Sequence, residues 1–143
     1  MQKGKITQII GPVVDVEFSE GTSLPEIYNA LEVKLEDRKI ILEVVKHLDS
    51  TKVKTISLQS TDGLKRGDQV DDSGKQISVP VGQEVLGGLF NVTGDLLDAK
   101  SKKTFKRYWP IHRPSPKFTE QSTKTEIFET GIKVVDLIAP FIK

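Results

Sequence analysis

The chain has 143 residues, of which 36% are hydrophobic and 29% are charged, and its 21 Lys and Arg nearly balance its 20 Asp and Glu. This size fits one globular domain with room for a smaller second piece, and the charge balance argues against a protein that coats polyanions. Because there is no cysteine, a disulfide scaffold, a thiolate metal site and a cysteine nucleophile are excluded. No apolar run approaches the roughly 20 residues that span a bilayer, so we expect a soluble protein of the cytoplasm or of the cytoplasmic side of a membrane.

Charged and aromatic residues divide the chain near Pro80. Residues 1–80 contain 11 basic and 13 acidic side chains, whereas residues 81–143 contain 10 basic and 7 acidic ones. Of the nine aromatic residues, Phe18 and Tyr28 lie in the first part and the other seven in the second. The contrast predicts two structural units with different surfaces, residues 1–80 and residues 81–143.

The first part contains short β-branched runs separated by turn residues, a pattern typical of strands. In one run, Val14 and Val16 alternate with Asp15 and Glu17, as in a half-buried strand. Strands are predicted at residues 5–10, 13–18, 30–35, 40–47 and 53–58, with Val70 and residues 76–79 completing the set. A six-stranded barrel is favoured over a sandwich, because so short a sandwich would expose two unpaired sheet edges.

The second part is less regular. Its three prolines at positions 110–116 favour extended backbone, so no regular element is expected between residues 108 and 117. One helix of about three turns is predicted at residues 130–139, where a wide apolar face is followed by Pro140. A helix this apolar requires a larger core than the second part provides.

A phosphate-binding loop is not apparent. A P-loop requires G-x-x-x-x-G-K-[ST] between a strand and a helix, but Gly-Lys occurs only at residues 4–5 and 74–75, where Ile6 and Gln76 follow. A G-x-G-x-x-G motif is also missing. The sequence therefore predicts no cofactor-binding residue in this chain.

The two histidines, His47 and His112, are far apart and have no cysteine or second histidine nearby. We interpret His47 as a strand-end residue and His112 as a surface residue, because metal sites and catalytic histidines need several clustered partners. The acidic residues Asp62 and Asp68, and the pair at 71–72, lie beside glycine and serine and are interpreted as turn residues that bond backbone amides. No catalytic and no metal-binding residue is predicted.

A basic stretch interleaved with aromatic residues lies in the second part. Its members are Lys100, Lys102, Lys103, Lys106, Arg107, Arg113 and Lys117, with Phe105, Tyr108 and Trp109 among them. Rings beside phosphate-binding cations hold single-stranded nucleic acids, so an oligonucleotide-binding barrel is one hypothesis. A solvated surface, or an extended segment anchored by its rings on a neighbouring domain, is favoured instead, because such barrels carry aromatic residues on their strands. We therefore predict no nucleic-acid partner.

Six segments, taken in order, carry a family resemblance. They are residues 4–18 (GKITQIIGPVVDVEF), 27–31 (IYNAL), 60–67 (STDGLKRG), 77–82 (ISVPVG), 109–114 (WPIHRP) and 123–137 (TKTEIFETGIKVVDL). Together they resemble the start of the catalytic beta subunit of F-type ATP synthase, over the whole chain and with similar spacing. The last two segments distinguish beta from the related alpha, vacuolar-type and flagellar ATPase subunits.

The resemblance implies a mainly β fold, in which an N-terminal barrel at residues 1–80 is followed by the first strands and one helix of an incomplete α/β nucleotide-binding domain at residues 81–143. It implies alpha and gamma subunits as partners in a hetero-hexameric ATPase head, peripheral to the membrane and without membrane insertion. The P-loop and the residues that bind ATP or ADP and Mg²⁺ would follow Lys143. This chain alone is therefore expected to be catalytically inactive.

The chain departs from the family pattern at a few positions. Gly88 stands where an arginine is usual, residues 94–98 lack the usual proline, and residues 100–107 are more basic than expected. Two hypotheses follow. The chain is the N-terminal portion of a proton-translocating F-type beta subunit, or it is a short, diverged beta-like module that assembles or regulates a rotary ATPase ring.

Overall fold

Six strands form where apolar and polar residues alternate in the first part of the chain. A computed structural model describes residues 2–98, 104–121 and 124–142. The strands are β1 (Lys3–Ile10), β2 (Val13–Phe18), β3 (Asn29–Lys34), β4 (Lys39–His47), β5 (Lys52–Ser57) and β6 (Gln69–Gln76). The first five agree closely with the predicted strands, because their alternation is continuous along the sequence.

Antiparallel pairing closes these strands into a barrel in the order β1-β2-β5-β4-β3-β6, with β6 returning to β1. β1 and β2 are joined by a turn at Gly11, whose φ of 55° is left-handed. β3, β4 and β5 pair in succession, whereas β2 pairs with β5 across the intervening strands. Each of the six strands therefore has a partner on both sides, and the predicted six-stranded barrel is confirmed.

The barrel interior is filled by inward-facing side chains from all six strands. The fully buried aliphatic residues are Ile6, Val14, Val16, Leu31, Val33, Ile40, Leu42, Val44, Val53 and Val70. Thr55 is buried among them, and its hydroxyl donates to the carbonyl of Val14 at 2.7 Å, so this polar group keeps a partner. Burial of each aliphatic side chain contributes about 1.5–3 kcal/mol, which makes this cluster the main driving force for folding of the barrel.

β6 corrects the interpretation of Asp71 and Asp72 as turn residues. Both lie within one continuous strand, where two separate closing segments were expected. The register between β3 and β6 is irregular beyond Asp72, and Gly74 adopts a left-handed φ of 68°. Oδ1 of Asp72 accepts the amide of Gly74 at 2.9 Å. The carboxylate bonds the backbone as expected, but it does so at a bulge within a strand.

A short two-stranded ladder follows the barrel. β7 (Ser78–Pro80) pairs antiparallel with β8 (Tyr108–Pro110). The expectation that no regular element forms between residues 108 and 117 is therefore wrong. The prolines keep this segment extended, and an extended segment needs only a partner edge to become a strand. Pro110 lies at the end of the ladder, where its missing N–H is tolerated.

Contacts divide the chain into two units, Met1–Arg113 and Pro114–Lys143. The second unit contains a 3₁₀ turn (Phe118–Glu120), the helix α1 (Lys133–Ile138), and the paired strands β9 (Ile127–Phe128) and β10 (Phe141–Ile142). The boundary near residue 80 stays a prediction. None of the helices in the described ranges is long and apolar enough to cross a membrane.

α1 has six residues and is shorter than the three-turn helix predicted at residues 130–139. The reason is Asp136, whose Oδ1 accepts the amide and the hydroxyl of Thr130 at 3.0 and 2.6 Å, and whose Oδ2 accepts the amide of Gly131 at 3.0 Å. These bonds hold Thr130 and Gly131 in a turn in which Gly131 has a left-handed φ of 80°. Helical backbone therefore begins only at Lys133.

The close approach of β1 and β2 at Gly4 provides a test of barrel packing. A Cβ on Gly4 would lie 2.7 Å from Cγ1 of Val16 and 3.1 Å from Cε1 of Phe18, both of which are core side chains. We expect Gly4→Ala to lower the free energy of unfolding by about 1–3 kcal/mol, because these side chains must shift. Urea denaturation measures the change. Lys3→Ala, at the neighbouring exposed position, should stay within about 0.5 kcal/mol, and equal losses in the two variants would contradict the packing described.

Candidate interaction surface

His112 contacts the barrel through two side chains. Its ring stacks on Tyr28, with the centroids 4.0 Å apart and the planes inclined by 23°. Its Nε2 lies 3.0 Å from Oε2 of Glu43 in β4, whose side chain is only 13% exposed. The interpretation of His112 as a surface residue is right about its exposure, which is 38%, but misses both contacts. The contacts of His112 with Tyr28 and Glu43 hold the segment that follows β8 against the barrel.

Tyr28 is positioned by an unusual backbone conformation. Its φ of 73° lies in the left-handed region, which costs a non-glycine residue on the order of 1–3 kcal/mol. The Tyr28 amide donates to the carbonyl of Val44 at 2.7 Å, and the Asn29 amide donates to that of Glu26 at 3.0 Å. These bonds hold the turn before β3 in place and set the position of the ring on which His112 stacks.

His47 is the last residue of β4, which confirms its interpretation as a strand-end residue. Its Nε2 lies 2.7 Å from the carbonyl oxygen of Pro25, so it ties the end of β4 to the loop before β3. Within the described residues, no group of three or more His, Asp or Glu side chains is placed to hold a metal ion. That the chain has no catalytic, cofactor-binding or metal-binding residue stays a prediction.

The acidic residues of the barrel turns bond neighbouring groups. Oδ2 of Asp68 accepts the amide of Lys65 at 2.7 Å, and Oδ2 of Asp62 accepts the hydroxyl of Ser60 at 2.7 Å. Both residues lie between strands, which confirms their interpretation as turn residues. The expected bond to a backbone amide is made by the carboxylate of Asp68, whereas that of Asp62 bonds a hydroxyl instead. In the turn before β5, the amide and hydroxyl of Thr51 bond Asp49 and lower the pKa of its carboxyl.

Trp109 in β8 lies among cations of the basic stretch. The guanidinium carbon of Arg113 is 3.7 Å from the ring centroid, and that of Arg107 is 5.5 Å from it. Phe105 makes an edge contact with Phe90, with the centroids 5.5 Å apart. Lys100, Lys102 and Lys103 lie outside the described residues.

The barrel offers few rings on which nucleobases could stack. Phe18 is the one aromatic residue in β1–β6, and it is 3% exposed, while the ring of Tyr28 is stacked on His112. Oligonucleotide-binding barrels hold bases on exposed aromatic side chains. The geometry therefore does not favour the oligonucleotide hypothesis, and the absence of a nucleic-acid partner stays a prediction.

An open cavity of about 440 Å³ lies beside the barrel. Its polar lining includes Glu32, Lys39, Thr93 and Asp95. Nζ of Lys39 lies 3.0 Å from Oε1 of Glu32. The hydrogen bonds from the side chains of Thr93 and Asn91 lower the pKa of the Asp95 carboxyl, and the charge of Lys39 lowers it further. Both carboxylates of the cavity thus have partners on the cavity wall.

Large apolar side chains are exposed on each unit. On the barrel, Ile10 is 60% exposed and Ile56 is 40% exposed, and both are register neighbours of Val13. In the second unit, Leu137 and Ile138 of α1 are about four-fifths exposed. Where such side chains form a contiguous patch, they favour contact with other protein.

The first unit thus contains a small, closed, antiparallel β-barrel with a packed interior and apolar side chains on its outer surface. Residues 6–74 match the model of the beta-barrel domain of the ATP synthase alpha/beta family. The match covers the barrel, and it supports an N-terminal portion of an alpha or beta subunit of a rotary ATPase. The match ends within β6, and it does not distinguish alpha from beta.

Glu43 was missed by the sequence analysis, although one sign of its role is present. It is the one acidic residue in β4, the most apolar strand of the barrel. Its partner His112 is 69 residues away, so no periodic pattern connects them. An acidic residue in an apolar strand therefore marks the position but not the partner.

The His112 contacts predict a local effect on β8. We expect His112→Ala to leave Glu43 without its partner and to weaken the attachment of residues 108–112 by about 1–2 kcal/mol. The only tryptophan, Trp109, reports this change through greater quenching of its fluorescence by acrylamide. His47→Ala removes the other histidine and should leave the quenching unchanged. Equal quenching in the wild type and His112→Ala would show that the contact does not hold the segment.

Asp136 predicts acid sensitivity in the second unit. Its bonds from the side chain and amide of Thr130 and from the amide of Gly131 lower the pKa of its carboxyl below the ordinary 3.8. A lowered pKa means that its stabilisation is complete above the ordinary value and is lost as the pH falls through the lowered one. We expect the carboxyl resonance of Asp136 to titrate below 3.8 and the Gly131 amide to exchange faster as it does. In Asp136→Asn, the exchange of Gly131 should not follow such a titration; titration of Asp136 at or above 3.8 would contradict the assignment.

Proposed function

We propose that the chain is the N-terminal portion of the catalytic beta subunit of a proton-translocating F-type ATP synthase. The match over residues 6–74 supports an alpha or beta subunit. The choice of beta rests on residues 109–114 and 123–137, which resemble that subunit, although Thr123 lies outside the described residues. In this proposal, the barrel joins neighbouring alpha and beta subunits in a hexameric head at the cytoplasmic side of the membrane, where gamma is a further partner.

The closed barrel supports a joining role. Each of the six strands pairs with a neighbour on both sides, although β1 pairs with β6 only at residues 3–5. A neighbouring subunit is therefore expected to bind the barrel mainly through side chains. Ile10 and Ile56 provide apolar contact area on the outer surface. A barrel with a preformed core also loses little conformational entropy when it associates.

The second unit supports the view that residues 114–142 pack against more protein than this chain supplies. Leu137 is 82% exposed and Phe118 is 89% exposed. A six-residue helix is marginal in water by itself and gains most of its stability from burial of its apolar face. Further layers of a nucleotide-binding domain would provide that burial.

ATP or ADP and Mg²⁺ belong to the full-length parent in this proposal. Among the described residues, the backbone amides of Thr130 and Gly131 before α1 are already bonded by the carboxylate of Asp136, which supports assigning the nucleotide to the parent. In the cavity beside the barrel, Glu32 and Asp95 also have partners. We therefore assign no step of ATP chemistry to this chain.

A short beta-like module that assembles or regulates a rotary ATPase ring is the second candidate. The observation that favours it is Gly88, where an arginine is usual in the family. A Cβ at Gly88 would lie 2.7 Å from Cε2 of Phe90, so the ring of Phe90 occupies the space that a larger residue would need. The replacement of the usual arginine by Gly88 is therefore accompanied by a matching position of the Phe90 ring, and it is not an isolated change at an exposed position.

Binding to isolated subunits tests the proposal. A beta barrel has alpha subunits on both sides in the ring, so immobilised alpha should retain the chain and immobilised beta should not. Retention by beta alone would instead identify an alpha-type barrel, and retention by neither would overturn the joining role. Equilibrium dialysis should detect no micromolar binding of ATP to the chain.

The intact mass of the native protein separates the two candidates. A mass several times 15.9 kDa is expected for a catalytic beta subunit, whose nucleotide-binding residues would lie beyond this sequence. A mass near 15.9 kDa would overturn the catalytic assignment and establish the short module.

A further inference from the structure

Two guanidinium groups lie close to the ring of Trp109. The carbon of Arg113 is 3.7 Å from its centroid and that of Arg107 is 5.5 Å from it. Both arginines are exposed. Within the described parts of the chain, neither forms a salt bridge, whereas Lys39, Lys52 and Lys54 are each paired with a carboxylate. The two cations near Trp109 therefore retain donors for a ligand.

The backbone around the two arginines is fixed on both sides. The carbonyl of Arg107 accepts the amide of Val81 at 3.0 Å, and the amide of Ile111 donates to the carbonyl of Ile77 at 3.0 Å. His112, next to Arg113, is held by its contacts with the barrel. An arginine beside an aromatic ring loses less freedom on binding, since its planar group is already positioned.

The surrounding charge favours an anionic ligand. Residues 104–113 contain Lys106 and the two arginines but no Asp or Glu. An acidic residue that contacts this segment, Glu43, is engaged by His112. Guanidinium groups bind carboxylates through two parallel N–H···O bonds, which gives them more directional recognition than an ammonium provides.

The rings argue against single-stranded nucleic acid as the ligand. A base needs an open aromatic face, but Trp109 has guanidinium partners and Tyr28 is stacked on His112. Phe105 is in edge contact with Phe90, which leaves Tyr108 among the described rings of this region. One ring does not form a platform for successive bases. Fixed cations without a stacking platform fit carboxylates of a protein better than they fit nucleobases.

We propose that Arg107 and Arg113, positioned by Trp109, form a docking site for an acidic segment of a partner protein. The site recognises closely spaced Asp or Glu side chains, each held by one guanidinium. It lies on residues outside the family match, and it goes beyond the proposed joining role of the barrel. Its failure would leave that role unchanged, because alpha-subunit binding is measured separately.

Fluorescence anisotropy with a labelled deca-glutamate peptide tests the site on the whole chain. We expect saturable, salt-sensitive binding that Arg107→Gln and Arg113→Gln each weaken about tenfold, because each loses a charge-assisted bidentate contact. Arg66→Gln is the matched control, since it removes the same charge from an exposed barrel turn, and it should weaken binding less than about twofold. Arg113→Lys keeps the charge but loses the planar group, and it should also weaken binding.

Three results would overturn the proposal. Absence of binding at low salt would show that the arginines do not form a site. Equal weakening by Arg66→Gln and Arg113→Gln would reduce the effect to net charge. Tighter binding of an oligothymidine of equal charge, weakened by Trp109→Leu, would identify the surface as a nucleic-acid site instead.

Discussion

The pairing of β6 with β3 on one side and β1 on the other is the interaction on which the barrel depends. Without it, β1 and β3 would each present an unpaired edge, which is an aggregation hazard. With it, the inward residues of six strands meet in one apolar cluster. Closure also sets the point at which the chain leaves the barrel, because β7 begins two residues after β6 ends.

The segment after the barrel is also positioned by strand pairing, followed by side-chain contacts with the barrel. β7 follows directly from β6, β8 pairs with β7, and His112 then reaches Glu43 and Tyr28 on the barrel. Each step depends on the one before it. The location of Trp109 and its arginines is therefore determined by the closing strand, although residues 77–106 lie between them and that strand in the sequence.

Most of the barrel could be predicted from the sequence, because alternation is a local property. β2 is an example, since Val14, Val16 and Phe18 alternate with Asp15 and Glu17. The middle of β6 was not predicted, because its polar run from Asp71 to Gly74 has the residue types of a turn, and a bulged strand uses the same types. The family resemblance rests on short sequence segments rather than on periodicity. The match over residues 6–74 confirms it for the barrel at the level of the alpha/beta family and does not separate beta from alpha.

Features that depend on distant partners could not be predicted. β8 forms only because the edge of β7 lies beside it. α1 is shorter than predicted because the carboxylate of Asp136 bonds the backbone amide of Gly131 and holds that residue in a turn. The contact of His112 with Glu43 spans 69 residues and has no local signature. These cases share one cause: a side chain or strand edge brought close by the fold overrides the local preference of the backbone.

The strand order has a consequence for synthesis of the protein. β1 emerges from the ribosome before the other strands of the barrel, yet one of its two neighbours, β6, begins 59 residues after β1 ends. At about 5–20 residues per second, that interval lasts several seconds, during which one side of β1 has no partner. The charged residues Lys3 and Lys5 lie at the positions of β1 that later pair with β6. Their charge protects the nascent edge against pairing with another chain until its own partner arrives.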